Sequence, residues 1–207
     1  MAFPDFFAEI PALKLHDGLA QLLGASDDGV IEYHYADAVR LAGHSCPTVA
    51  GGWLSARAGL RHLYGVELPE RGGISVYLND AENAGVTGVI GQVLTLVTGA
   101  AAKNGFHGLG GRQVRSNLLH YAQGDVAGVR FKRNDTGAEV EIEIDTSTVS
   151  GDPMMRPLMQ LTMTGQADAA QRREFGRLWQ DRVRRLLVDH ADDPAVVKVR
   201  ALAGRVA

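Results

Sequence analysis

The sequence predicts an α+β fold: a mixed or antiparallel sheet with helices packed mainly on one face and a helical C-terminal extension. Three observations predict it. Gly128 to Arg133 and Ala138 to Ile144 read as two strands around Asn134-Asp135-Thr136-Gly137, a turn whose last residue suits a positive φ. Pro47 to Tyr64 carries Val49, Trp53, Ala56, Leu60 and Leu63 at helical spacing. Ala167 to His190 does the same with Phe175, Leu178, Trp179, Val183, Leu186 and Leu187, while arginines decorate its other side.

Each element has its own signal. In the second hairpin strand Val140, Ile142 and Ile144 alternate with Glu139, Glu141 and Glu143, which predicts one covered face and one wet face. Pro47 suits the first turn of a helix, where its missing N–H costs nothing. Leu15, Leu19, Leu22 and Leu23 fall at helical spacing, and Gly24 suits the stop. Val30 to Tyr35 alternates as a short strand, Ala36 to Ala42 reads as a short helix, and Ile74 to Leu78 as a strand. Val86 to Ala100 is small and apolar all round, which predicts a buried helix. Val114 to Tyr121 is ambiguous between helix and strand. Pro153 to Met163 reads as a Met-rich helix, and Pro194 as the start of a last weak one. The one candidate boundary lies near Ser150 to Pro153. It divides the chain into an α+β domain over 1–150 and a helical extension over 151–207 packed on the same domain.

Composition narrows the function. The 207 residues are 45% hydrophobic and 22% charged, ordinary values for a chain with a proper core. A net charge of −3 offers no basic field for nucleic acid. The apolar run from Val86 is broken by Thr87, Gln92, Thr95 and Thr98 and by glycines, short of a membrane span. Met1 to Glu9 shows no basic leader, and a single cysteine, Cys46, cannot form an internal disulfide. These features point to a cytoplasmic protein.

The chemistry concentrates at Gly43-His44-Ser45-Cys46-Pro47. A thiolate at a helix N-terminus is favoured by free N–H groups and the helix dipole. Imidazole and thiolate are preferred donors for zinc and related ions. Spacing alone leaves the alternative open, a buried structural thiol beside a locally bonded histidine. The further candidate metal ligands are His107, in a glycine-rich loop, and Asp80, in the turn after the Ile74 strand. His16, His34 and Glu82 stand behind them. The loop itself, with Gly108, Gly110, Gly111 and Arg112, is a candidate ligand-binding segment: its glycines permit close backbone approach, and Arg112 or Arg115 suits an anion.

Gly43-His44-Ser45-Cys46-Pro47 and the small-residue helix after it resemble the G-H-x-C-P-G motif of the FmdE family, proteins similar to the FmdE component of formylmethanofuran dehydrogenase. Val93-Leu94-Thr95 with Thr98-Gly99, and Gly128 to Gly137, resemble later blocks of that family in the same order. The resemblance covers roughly Tyr35 to Ile144. It implies an α+β domain, commonly a homodimer, with a metal near His44 and Cys46. Many members carry further cysteines where Glu82 or Asn83 and Ala100 stand here, and a cysteine-rich zinc-ribbon tail that this chain lacks. The remaining ligands must then be nitrogen or oxygen. The expected cofactor is zinc or another divalent transition metal, in a metal-binding protein or a metalloenzyme acting on a small molecule. The alternatives are a metal or haem carrier using Cys46-Pro47, and a cysteine nucleophile paired with His44.

Overall fold

The computed structural model describes residues 3–202. The leader reading at Met1 and Ala2, and the last five residues of the C-terminal extension, lie outside the described residues. A 3₁₀ turn (Asp5–Glu9) leads into β1 (Leu13–His16), α1 (Gly18–Leu22), β2 (Val30–Tyr33), α2 (Tyr35–Ala42), α3 (Pro47–Tyr64) and β3 (Ile74–Leu78). Then follow α4 (Thr87–Thr98), β4 (Leu119–His120), β5 (Val129–Arg133), β6 (Glu139–Ile144), α5 (Met155–Met163), α6 (Ala169–Arg184) and β7 (Val197–Leu202). β1 and β2 form a small antiparallel ribbon. The main sheet has the order β4-β3-β5-β6-β7; only β3 and β4 run parallel, so it is mixed. The α+β class is as the sequence predicts.

The core lies between the sheet and α3 with α4. Val49, Trp53, Ala56 and Leu60 of α3, and Val93, Leu94 and Val97 of α4, bury against Ile74, Val76, Phe131, Val140 and Ile142. One close approach depends on a glycine: a Cβ on Gly59 would sit 2.6 Å from Phe131 Cδ2, so this helix meets the strand only because the residue has no side chain. The β5–β6 hairpin turns as the sequence indicates. Gly137 takes φ 72° and donates to Arg133 O at 2.8 Å.

Two expectations are corrected. Leu15 does not begin a helix; it lies in β1, opposite Ile31, and is fully buried. Only the residues after it are helical, with Asp17 as their cap. The residues after Pro194 form a strand, not a helix: β7 pairs with β6 over its whole length. The reason is cross-strand charge. Glu141 and Glu143 of β6 meet Arg200 and Lys198 of β7, and β-branched Val197 and Val199 suit the extended backbone. The wet face of the sheet is drier than alternation suggests, because Arg130 and Arg200 flank Glu141 and leave its side chain only 1% exposed. Burial pushes its carboxyl up, but hydrogen bonds from Arg200 and Arg130 outweigh that and hold it low.

Candidate functional site

α2 ends at Gly43, whose φ of 76° is the left-handed conformation that closes a helix; its N–H donates to Val39 O. The chain then runs through His44 and Ser45 to Cys46, the N-cap of α3, with Pro47 in the first helical turn. The turn is held from the C-terminal region. Trp179 Nε1 and Gln180 Nε2 of α6 both donate to Ser45 O, at 3.0 and 3.1 Å, and Tyr35 OH lies 3.1 Å from Ser45 Oγ. Burial pushes the Tyr35 phenol up, so it stays protonated.

The two predicted donors differ in setting. His44 is exposed, and its Nδ1 lies 2.9 Å from Ala42 O. A carbonyl can only accept, so Nδ1 carries the proton and Nε2 presents a lone pair. That is how metal-ligating histidines are usually set, one ring nitrogen fixed by a carbonyl and the other free. Cys46 is 8% exposed and belongs to the core cluster with Tyr35 and Trp53.

The other candidates are distributed. Asp80 is exposed and shares a cavity of about 320 Å³ with Pro47 and Thr48 at the start of α3. His107 does not line that cavity; it is exposed, in a loop where its Nδ1 meets Ser116 Oγ at 3.2 Å. Among the described residues no group of three or more His, Cys, Asp or Glu side chains could hold a metal ion. The turn thus offers two donors suited to zinc, fewer than the three or four protein ligands of a zinc site.

The glycine-rich loop is a tight turn. Leu109 and Arg112 exchange backbone hydrogen bonds of 2.9 and 3.0 Å around Gly110 and Gly111, whose φ values are 56° and 78°. Gly108, at φ 88°, would place a Cβ 2.3 Å from Arg112 O. Turn geometry therefore accounts for all three glycines. Arg112 is exposed, whereas Arg115 is buried and committed to Asp17.

That last pair belongs to a polar knot that sequence reasoning missed. Asp17 accepts from Leu19 and Ala20 N–H as the cap of α1, from Arg71 Nη1 at 2.9 Å and from Arg115 Nη2 at 2.7 Å. Arg71 continues to the carbonyls of Thr95, Leu96 and Val97 at the end of α4, and Arg115 Nη1 donates to Arg71 O. Burial raises the Asp17 carboxyl, but the hydrogen bonds and the two guanidinium charges prevail and hold it low. Asp17 before Gly18 is a legible capping signal; its two distant arginines are not.

No family model matches the chain. No curated protein matches it either. Among solved structures it is similar to the crystal structure of an FmdE-like protein of the tungsten formylmethanofuran dehydrogenase type from Syntrophus aciditrophicus, at 15% identity. That alignment covers 82% of this chain and 72% of the other, with a TM-score of 0.43. No helix among the described residues is long and apolar enough to cross a membrane.

Proposed function

We propose that this chain is a metal-binding protein that uses the turn at 43–47, with His44 and Cys46 as its own donors to zinc or another divalent transition ion. The observation that carries the reading is the state of His44. Its Nδ1–H is spent on Ala42 O, so Nε2 is a free, exposed donor two residues from the only cysteine of the sequence. The remaining positions on the ion fall to a second copy of the chain, in a homodimer, and to water or a small molecule. A position left to water or substrate would supply Lewis-acid chemistry, and this is where the reading as a metalloenzyme begins. The reading also puts the chain in the cytoplasm, where Cys46 stays a thiol.

The test is a zinc titration of the purified chain with metal analysis, sizing by light scattering and alkylation of Cys46. Saturable binding is expected, weakened at least tenfold in His44→Ala and in Cys46→Ser, with zinc slowing alkylation of Cys46. A mass that doubles with half-stoichiometric zinc assigns the missing ligands to a partner copy. A chain that arrives metal-free and refuses zinc with both residues intact sinks the proposal.

A further inference from the structure

The cavity beside the motif is bounded by the starts of two helices. Pro47, Thr48, Gly51 and Ser55 of α3 form one wall, and Val86, Thr87 and Ile90 at the start of α4 another. Both helices are substantial, 18 and 12 residues, and neither N-terminus is capped by a side chain. Their first N–H groups and the positive ends of their dipoles thus adjoin one space.

A second observation is independent of the helix ends. Ser55 is 2% exposed and Thr87 is 7% exposed; both line the cavity, and neither hydroxyl has a hydrogen-bond partner among the described residues. A buried hydroxyl in a helix ordinarily bonds to the carbonyl four residues back. Thr98, Thr162 and Thr164 of this chain do so, at 2.7, 2.8 and 2.9 Å. Ser55 does not. Buried polar groups in native proteins are nearly always satisfied, so unpartnered hydroxyls against a cavity mark a place where something else accepts or donates.

We infer that this cavity binds a small monocarboxylate, with its carboxylate between the starts of α3 and α4 and its apolar body against the sheet. The chemistry of the lining selects that class. Donors gather at one end: the helix N–H groups and the hydroxyls of Ser55 and Thr87. Leu78, Val129, Ile142 and Ile144 supply an apolar surface at the sheet. No lysine or arginine lines the cavity, and Asp80 and Glu143 do, Glu143 being paired with Lys198 at 2.8 Å. A dianion such as phosphate would meet carboxylates with no cation to offset them; a single carboxylate is what two helix ends can hold. The volume is at the low end of small-molecule sites, about 300–1,000 Å³. The larger groove of about 550 Å³ between α3 and the segment before β7 has no such character, because Arg57 and Arg61 are both closed onto Asp192.

The experiment follows amide shifts of the ¹⁵N-labelled chain with three probes: hexanoate, hexan-1-ol and inorganic phosphate. Hexanoate is expected to move Thr48 and Gly88 saturably, hexan-1-ol to bind about tenfold more weakly, and phosphate to leave these amides in place. Ser55→Ala is expected to weaken hexanoate about tenfold, as loss of a hydrogen bond to a charged group implies. Gly51→Ala is a second variant. Its Cβ meets Ile144 at an ordinary 3.6 Å, so the fold survives while the cavity narrows and hexanoate weakens. Equal binding of the alcohol, the same shifts with phosphate, no saturable shift at these amides, or unchanged affinity in both variants would each overturn the assignment. Unaltered hexanoate affinity in His44→Ala is also expected, which separates this inference from the metal reading.

Discussion

The knot around Asp17 and the cavity beside Pro47 are opposite solutions to the same problem, polar groups in the interior. At Asp17 each carboxylate oxygen accepts from a guanidinium, and Arg71 goes on to close the carbonyl end of α4. At the cavity, the amide ends of α3 and α4 are left without side-chain caps, and two buried hydroxyls are idle. α4 is thus finished at one end and open at the other. The contrast teaches where stability and where exchangeable binding are to be sought: closed networks resist change, whereas open ones wait for an occupant.

The largest effect should come from breaking the closed region. Asp17→Ala leaves Arg115 buried and unpaired, and a loss of about 3–5 kcal/mol of unfolding free energy is expected in chemical denaturation. The same carboxyl sets an acid limit. It is held below the ordinary aspartate value of 3.8. Its contribution is therefore complete above that value and is lost as pH falls through the lower folded value.

The sharpest version of the comparison pairs two buried helical hydroxyls. Thr98 Oγ1 donates to Leu94 O and accepts from Ala100 N–H. Thr98→Val should cost about 1–2 kcal/mol, because a buried N–H loses its partner. Ser55→Ala should stay within about 0.5 kcal/mol of the parent in the same assay, since no bond is lost. Equal losses at the two positions would show that Ser55 has a structural partner after all.

The smallest effect lies at the edge of the knot. His16 Nδ1 meets Glu70 at 2.5 Å, and that hydrogen bond raises the imidazole above its ordinary 6.5 against a smaller opposing effect of burial. The pair stabilises fully below pH 6.5 and loses its contribution as pH rises through the folded value. Both side chains are partly exposed, so about 1 kcal/mol or less is at stake. A histidine NMR titration should place His16 above the ordinary value, and Glu70→Gln should return it.

Elements with their own period were legible in the sequence. α3, α4 and α6 each carry an apolar face long enough to fix a helix, and the β5–β6 hairpin carries both alternation and turn chemistry. β1 and β7 were not, because each is decided by a distant partner. Leu13–His16 is too short to alternate visibly; it is extended because β2 and Pro69 O receive its backbone. Val197–Leu202 reads weakly by itself and is set by the glutamates of β6. At the candidate site, Pro47 announced the helix that positions Cys46, and Asp80 does reach the neighbouring cavity. The idle state of Ser55 was unreadable, since the sequence cannot distinguish a serine that bonds back into its helix from one that does not. The glycines of the 105–112 loop misdirected attention toward ligand binding for the converse reason: tight turns and ligand cradles ask for the same residue.

The pairing of β7 with β6 also bears on how the chain is made. β7 is synthesised after every other strand, so the growing polypeptide carries β6 for a time as the open border of its sheet. Such a border invites a neighbouring nascent chain to add itself. Glu139, Glu141 and Glu143 guard against this, because two copies of β6 laid side by side would set glutamate against glutamate. Arg200 and Lys198 then lift the guard from within, and the repulsion that kept strangers out becomes the attraction that seats the chain's own last strand.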